Sequence, residues 1–245
     1  YAFMVAVFFA ATAFAVSEVT ENKIYKWRYK ITVSVDTPEG VKTGSAVRET
    51  TAVVSPYPLD TQHPYRTTIS TKGEAAVVDL GPRGVMFALV DVDDHRLVFQ
   101  AFPSPKGPLT PAGIEFYSKL PVGTEAVLSP QRPPGYPKLV TFSNLNDPKS
   151  VTLVQVWERN REGYFDLKDD RMQTLFGAGV ILKDITIEIT ETPITAGIVE
   201  KHLTWIHEYA NILLDGQRIH KLQSEYPVAN SIGGGSFTMR KNNNE

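Results

Sequence analysis

Hydrophobic and polar positions alternate most clearly where Tyr29, Ile31, Val33 and Val35 interleave with Lys30, Thr32 and Ser34. A period of two marks a strand with one buried face. The turn residues Asp36-Thr37-Pro38-Glu39-Gly40 follow, where proline fixes φ and glycine accepts a positive φ. A second strand over 45–54 completes a predicted hairpin across 28–54. Ile185, Ile187 and Ile189 alternate with Thr186, Glu188 and Thr190 and predict another strand. Strands are also expected over 85–90, 97–102, 139–142 and 151–158, and a hairpin of 67–71 with 75–80 around Lys72-Gly73-Glu74.

Helical spacing is rarer. Thr110-Pro111 offers an N-cap and a proline at the first helical position, which predicts a short helix over 114–120. Residues 169–177 carry an acidic start and a glycine stop, another short helix. Val199, Leu203, Ile206, Ala210 and Leu213 recur at intervals of four and three. That is one face of an amphipathic helix, closing at Asp215-Gly216.

Residues 1–16 break the pattern, because they are apolar almost throughout and uncharged. Sixteen helical residues reach about 24 Å, somewhat short of the ~30 Å hydrocarbon core. The chain opens at Tyr1 rather than Met, so further apolar residues upstream are expected. The expectation is an uncleaved transmembrane anchor formed by Tyr1, Phe3, Met4, Val5, Val7, Phe8, Phe9, Phe14 and Val16. A retained signal peptide or a buried helix are the alternatives, and Ala13-Phe14-Ala15 resembles a cleavage site. The near flank offers Glu18 and Glu21 before Lys23 and Lys26. Since basic residues favour the cytoplasmic side, the body is placed outside it.

The expected fold class is therefore mainly β with a few short helices, a β-sandwich or two β-rich lobes, preceded by one N-terminal transmembrane helix. The expected plan is an anchor at 1–17, a juxtamembrane linker at 18–26, a β-rich domain at 27–216 and a polar, partly flexible tail at 217–245. A division into two lobes near 130–137 is one reading of the domain.

Composition narrows the partners. Charged residues make up 21% of the chain and net charge is −2; with no basic stripe, nucleic acid is not an expected partner. The chain has no cysteine, which removes disulfides, thiolate metal sites and lipidated cysteine.

The segments Val35-Asp36-Thr37-Pro38-Glu39-Gly40, Thr43-Gly44-Ser45-Ala46-Val47, Gly73-Glu74-Ala75, Leu145-Asn146-Asp147-Pro148-Lys149-Ser150, Phe176-Gly177-Ala178-Gly179-Val180, Ile187-Glu188-Ile189-Thr190, Leu214-Asp215-Gly216 and Ala229-Asn230-Ser231 run in order along the chain. In these pieces it resembles a family of uncharacterised exported bacterial proteins and predicted lipoproteins. The resemblance implies a membrane-tethered protein of the bacterial inner membrane with its body in the periplasm, and it carries no activity. Attachment through a lipidated cysteine does not transfer to a chain that has none.

Candidate chemistry is sparse. Asp91, Asp93 and Asp94 beside His95 place oxygen ligands near one another, but Arg96 and Phe102 stand where a calcium loop needs glycine and a carboxylate. A solvated turn is expected instead. His202 and His207 are five apart, so their rings diverge on a helix, unlike the pair in His-Glu-x-x-His. Gly44-Ser45 precedes a strand rather than the helix of a nucleophile elbow. Gly177-Ala178-Gly179 lacks the third glycine of a dinucleotide loop. No catalytic residue, cofactor or metal is expected. Trp27, Tyr29, Trp205 and Tyr209 are candidate interface residues, with core packing as the competing reading. The function expected first is an accessory protein docking on a larger membrane assembly, with membrane lipid and other membrane subunits as partners. A tethered module for a small molecule, lipid or envelope polymer comes second, and a hydrolase without a recognisable motif third.

Overall fold

The structure, a computed structural model, describes residues 21–239 apart from 58, 60, 61 and 63. In chain order the elements are β1 Lys23–Thr37, β2 Gly40–Pro56, β3 Tyr65–Glu74, β4 Ala76–Asp79, β5 Val85–Ala88, α1 His95–Ala101, α2 Pro111–Ser118, β6 Glu125–Val127, β7 Leu139–Phe142, β8 Val151–Leu153, β9 Gln155–Arg159, β10 Phe165–Asp170, α3 Met172–Phe176, β11 Ile181–Ile189, α4 Val199–His202 and β12 Thr238–Met239. They build a six-stranded sheet in the order β12-β3-β2-β1-β11-β6, a four-stranded sheet in the order β4-β5-β7-β8, and the separate pair β9–β10.

The long hairpin β1–β2 organises the larger sheet. Its strands pair from Lys23 opposite Val54 to Thr37 opposite Gly40. Alternate residues of β1 point inward, and Tyr29, Ile31, Val33 and Val35 are fully buried. β11 lies along the other side of β1, with Ile185, Ile187 and Ile189 on the same inner face. The smaller sheet packs under that face and is covered on both sides. Met86 and Ala88 of β5 join the main core, whereas Val85 and Phe87 join a second core. Leu139 and Val140 of β7 divide in the same way. This double burial explains why 85–90 and 139–142 read as continuous apolar runs. The second core is closed from outside by the C-terminal chain, through Val199, Leu203, Ile206, Leu214, Ala229, Ile232 and Phe237.

The body is β-rich, and several expectations are corrected. The fold class expected a transmembrane helix. Among the described residues no helix is long and apolar enough to cross a membrane. The longest of them, α2, has eight residues, or about 12 Å at 1.5 Å per residue. The expected anchor residues, Tyr1 to Val16, lie outside the described residues. Of the expected linker, 23–26 already belongs to β1. Residues 97–101 form most of α1 instead of a strand and Phe102 caps it, with Leu97, Val98 and Phe102 inward; spacings of one and four suit a helix, and a short apolar run does not reveal its period. The 67–80 segment is not a hairpin. β3 runs on to Glu74, pairing with β2 as far as Lys72 and with β12 at Gly73 and Glu74, and after Ala75 the chain crosses into the smaller sheet as β4.

The helix expected over 199–213 is also corrected. It stops after one turn, where Leu203 leaves helical geometry, and resumes as a 3-10 turn at Ile206–Tyr209. Val199, Leu203 and Ile206 do face one core, but Ala210 is exposed. Of the segment expected to be a polar, partly flexible tail, 217–227 is mostly exposed, whereas Ala229, Ile232 and Phe237 pack into the second core and β12 pairs with β3. The larger core takes residues from both sides of 130–137, for example Ile114 and Val154.

Candidate functional site

A charged side chain at an inward strand position needs a partner, because an isolated buried charge is strongly disfavoured. Arg48 is such a residue. It follows Ala46 on the inner face of β2, stands directly across from Tyr29 of β1, and is fully buried. Its guanidinium is saturated. Nη1 donates to Asp94 Oδ1 and Oδ2 at 2.7 and 2.8 Å. Nη2 donates to the carbonyls of Ala88 and Leu89 at 3.0 and 3.3 Å, and Nε donates to the Glu74 carbonyl at 3.1 Å. Tyr29 Oη donates to Asp94 Oδ2. Burial, then the Asp94 charge, pushes the Tyr29 phenol well above its usual 10, so it remains a donor. Asp94 sits at the N-cap of α1 yet makes no side-chain cap, since both its oxygens serve Arg48 and Tyr29.

The cluster joins both sheets and α1. Glu74, also buried, extends the tie to the outer layer: its carboxylate accepts from the backbone N–H groups of Gly197, Ile198 and Val199 at 2.5, 3.0 and 3.3 Å. Such an arrangement holds position; with every guanidinium donor used, it offers a rigid floor rather than a reactive group.

Above that floor stands the loop 130–138, with a recess on each side. The first, about 260 Å³, is bounded by Leu89, Val90 and Leu97, by Asp91, Asp93, Asp94, Arg96 and Lys138, and by Tyr136, Pro137 and Ile232. The second, about 240 Å³, is lined by Pro130, Pro134, Tyr136, Pro137, Leu153, Trp157 and Phe165. Pro134, Tyr136, Pro137 and Lys138 belong to both. Tyr136 and Trp157 meet edge to face with centroids 6.3 Å apart. The loop is anchored where it leaves each neighbour. Gln100 Nε2 donates to the Arg132 carbonyl, Phe165 N to the Gln131 carbonyl and Leu89 N to the Lys138 carbonyl. Burial, with the Asp184 charge, raises the Tyr136 phenol above its usual 10. One recess is thus walled by rings and prolines, the other rimmed by charges of both signs.

His95 borders this region. It is 8% exposed, its ring lies 5.2 Å from Phe99, and burial lowers its pKa from 6.5 despite the Asp93 and Asp94 charges beside it. The native state therefore favours neutral imidazole. The stability this contributes is full above pH 6.5 and is lost as the pH falls toward the lower native value. Thermal unfolding followed from pH 7 to pH 5 should show Tm falling. The fall should be shallower in His95→Gln, and equal slopes would remove His95 as its source.

The structure separates the other candidate residues. Asp91 and Asp93 are exposed as expected of a solvated turn, but Asp94 and His95 are buried, which corrects that reading at its last two positions. No group of three or more histidine or acidic side chains close enough to hold a metal ion occurs among the described residues. Trp27 and Tyr29 belong to the main core. Trp205 and Tyr209 pack on the second core, their rings 5.2 Å apart, and Trp205 Nε1 donates to the Leu145 carbonyl at 2.7 Å. His202 lies against Phe87, and His207 Nε2 is 3.5 Å from Glu200 Oε1. Sequence reasoning missed Arg48 and the 130–138 loop as part of a site, and took the buried Asp94 for part of a solvated turn. No alternation marked Arg48, because residues 46–50 of β2 are buried on both faces.

No protein family, no curated protein and no solved structure matches the chain. Nothing there identifies a family, the exported bacterial proteins of the sequence resemblance included.

Proposed function

We propose that the protein is a non-enzymatic interaction module that grips an extended segment of a partner protein across the 130–138 loop. The observation that carries this reading is the pair of recesses sharing one wall. The slot of Tyr136, Trp157 and Phe165 suits an apolar side chain, since aromatic surfaces give large contact at low entropic cost. The rim of Asp91, Asp93, Arg96 and Lys138 suits a charged or polar residue further along the same segment. Pockets that combine apolar walls with a few converging polar groups are the usual form of a binding site. The saturated Arg48–Asp94 pair beneath keeps the recess from collapsing when it is empty.

The test is peptide selection on the whole protein, followed by titration of the enriched peptides by calorimetry. Enriched sequences are expected to pair an apolar or aromatic residue with a charged one at fixed spacing. Trp157→Ala should weaken them at least tenfold, and Lys138→Glu should reverse their charge preference. Peptides that bind Trp157→Ala and Lys138→Glu as they bind the parent would refute the reading.

A further inference from the structure

We infer that the outer edge of β2 over residues 41–45 pairs antiparallel with the same edge of a second copy of the chain, making one continuous sheet across two protomers. Thr43 lies on the two-fold axis.

The directions of the backbone groups carry the argument. β3 pairs with β2 only from Glu49 onward. At Val47 the neighbour is Thr195: Val47 N donates to Thr195 Oγ1 at 2.8 Å, and the Val47 carbonyl accepts from Thr195 N at 3.1 Å. Both backbone groups of Val47 therefore point away from β1. Successive residues of an antiparallel strand turn to its two sides in alternation, so those of Ser45, Thr43 and Val41 point the same way. Their N–H and C=O groups have no partner on that side among the described residues, and all three residues are exposed. β4 meets Gly44 from the inner face and forms no ladder with β2. A row of unpaired backbone groups is a template for another extended chain, and natural proteins guard such edges with proline, bulges or charge. Here 41–45 contains no proline, and the β1–β2 register runs without a shift. Lys42 is the only charge in the segment.

That charge selects the register. Groups that point outward must face each other, so Val41, Thr43 and Ser45 pair among themselves. Centring the pairing on Thr43 sets Thr43 opposite Thr43 and Val41 opposite Ser45. It uses every free group and places Lys42 opposite Gly44. Centring it on Lys42 sets two lysines face to face, a destabilising like-charge pair. Centring it on Gly44 sets Val41 opposite Val47, whose groups Thr195 already holds. The one register free of conflict is self-complementary, which is the condition for a two-fold contact between identical chains.

The test follows the whole chain by sedimentation equilibrium from micromolar to millimolar concentration, where a monomer–dimer equilibrium is expected. Thr43→Asp opposes two carboxylates at the axis and should weaken the dimer about tenfold. Thr43 is exposed and directs its backbone groups away from β1, so the fold does not depend on its side chain. Because the chain has no cysteine, Thr43→Cys tests the register directly. Hydrogen-bonded partners in an antiparallel ladder have Cα atoms about 5.5 Å apart, within disulfide range, so mild oxidation should give a covalent dimer. Lys42→Cys, offset from its own copy, should cross-link about tenfold more slowly. A chain that stays monomeric throughout, a dimer that Thr43→Asp leaves intact, or cross-linking of Lys42→Cys as fast as that of Thr43→Cys would each overturn the inference.

Discussion

Asp94→Ala should lower stability by about 3–5 kcal/mol, the range for breaking a buried ion pair by removing one partner. The effect is large because Arg48 stays behind. Its side chain has no exposed surface, so water cannot replace the carboxylate. Tyr29 loses its acceptor at the same time, and an orphaned buried hydroxyl adds to the cost. For a chain of this size each kcal/mol moves Tm by roughly 2–4 °C, so a fall of about 6–20 °C is expected. Urea unfolding gives the same quantity at constant temperature.

The double variant Arg48→Met, Asp94→Ala separates the pair from the packing. With the charge gone, Ala88, Leu89 and Glu74 lose a donor to their carbonyls, but no ion is left buried. The double variant should therefore be more stable than Asp94→Ala alone. If the two unfold at the same urea concentration, the cost lies in lost volume and the ion pair is not what holds this corner.

The same pair shows which parts of the fold could be read from the chain. β1 and β11 were legible because one face of each meets the core and the other is partly exposed to water. Tyr29, Ile31, Val33 and Val35 had to alternate with polar neighbours. The N-cap at Thr110 was legible for a local reason: its side chain accepts from Gly113 N at 3.0 Å, three residues on. The turn at 144–148 is local as well, with Asn144 Oδ1 and Asp147 Oδ1 each accepting from a backbone N–H two residues away.

What was not legible depends on partners far along the chain. The 97–102 run becomes helical because Leu97, Val98 and Phe102 must meet β-strands contributed by other segments. The C-terminal chain looks like a tail because Ala229, Ile232 and Phe237 are scattered among polar residues. Only the outer face of the smaller sheet gives them something to cover. The candidate groove needs residues 89–97, 130–138, 153–165 and 232–236 together. No single window of sequence contains that combination.

Gly44→Ala should cost about 3 kcal/mol, at the upper end of what overpacking a filled core exacts, and lower Tm by roughly 6–12 °C. Backbone conformation is not the cause, since Gly44 is not among the glycines of positive φ. The cause is distance. β2 crosses β4 here so closely that a Cβ on Gly44 would lie 2.0 Å from the Val77 carbonyl oxygen and 2.8 Å from Val78 N. Both are backbone atoms, so no side chain can swing aside. Nor can β4 retreat, because its far face packs through Val77 on the second core, which the C-terminal chain closes. A methyl group must therefore push the two sheets apart and loosen both cores together. Gly233→Ala is the matched control: its Cβ would meet nothing nearer than the Ile212 carbonyl oxygen at 3.6 Å, an ordinary contact, and Tm should move by no more than about 2 °C, in line with a tolerated substitution. Amide exchange would locate the damage. Faster exchange in Gly44→Ala at Val78, Met86 and Phe237 together means the layers separate as one unit; faster exchange at the β2 positions alone would show that the strand yields locally and that the contact between the sheets is not what the glycine protects.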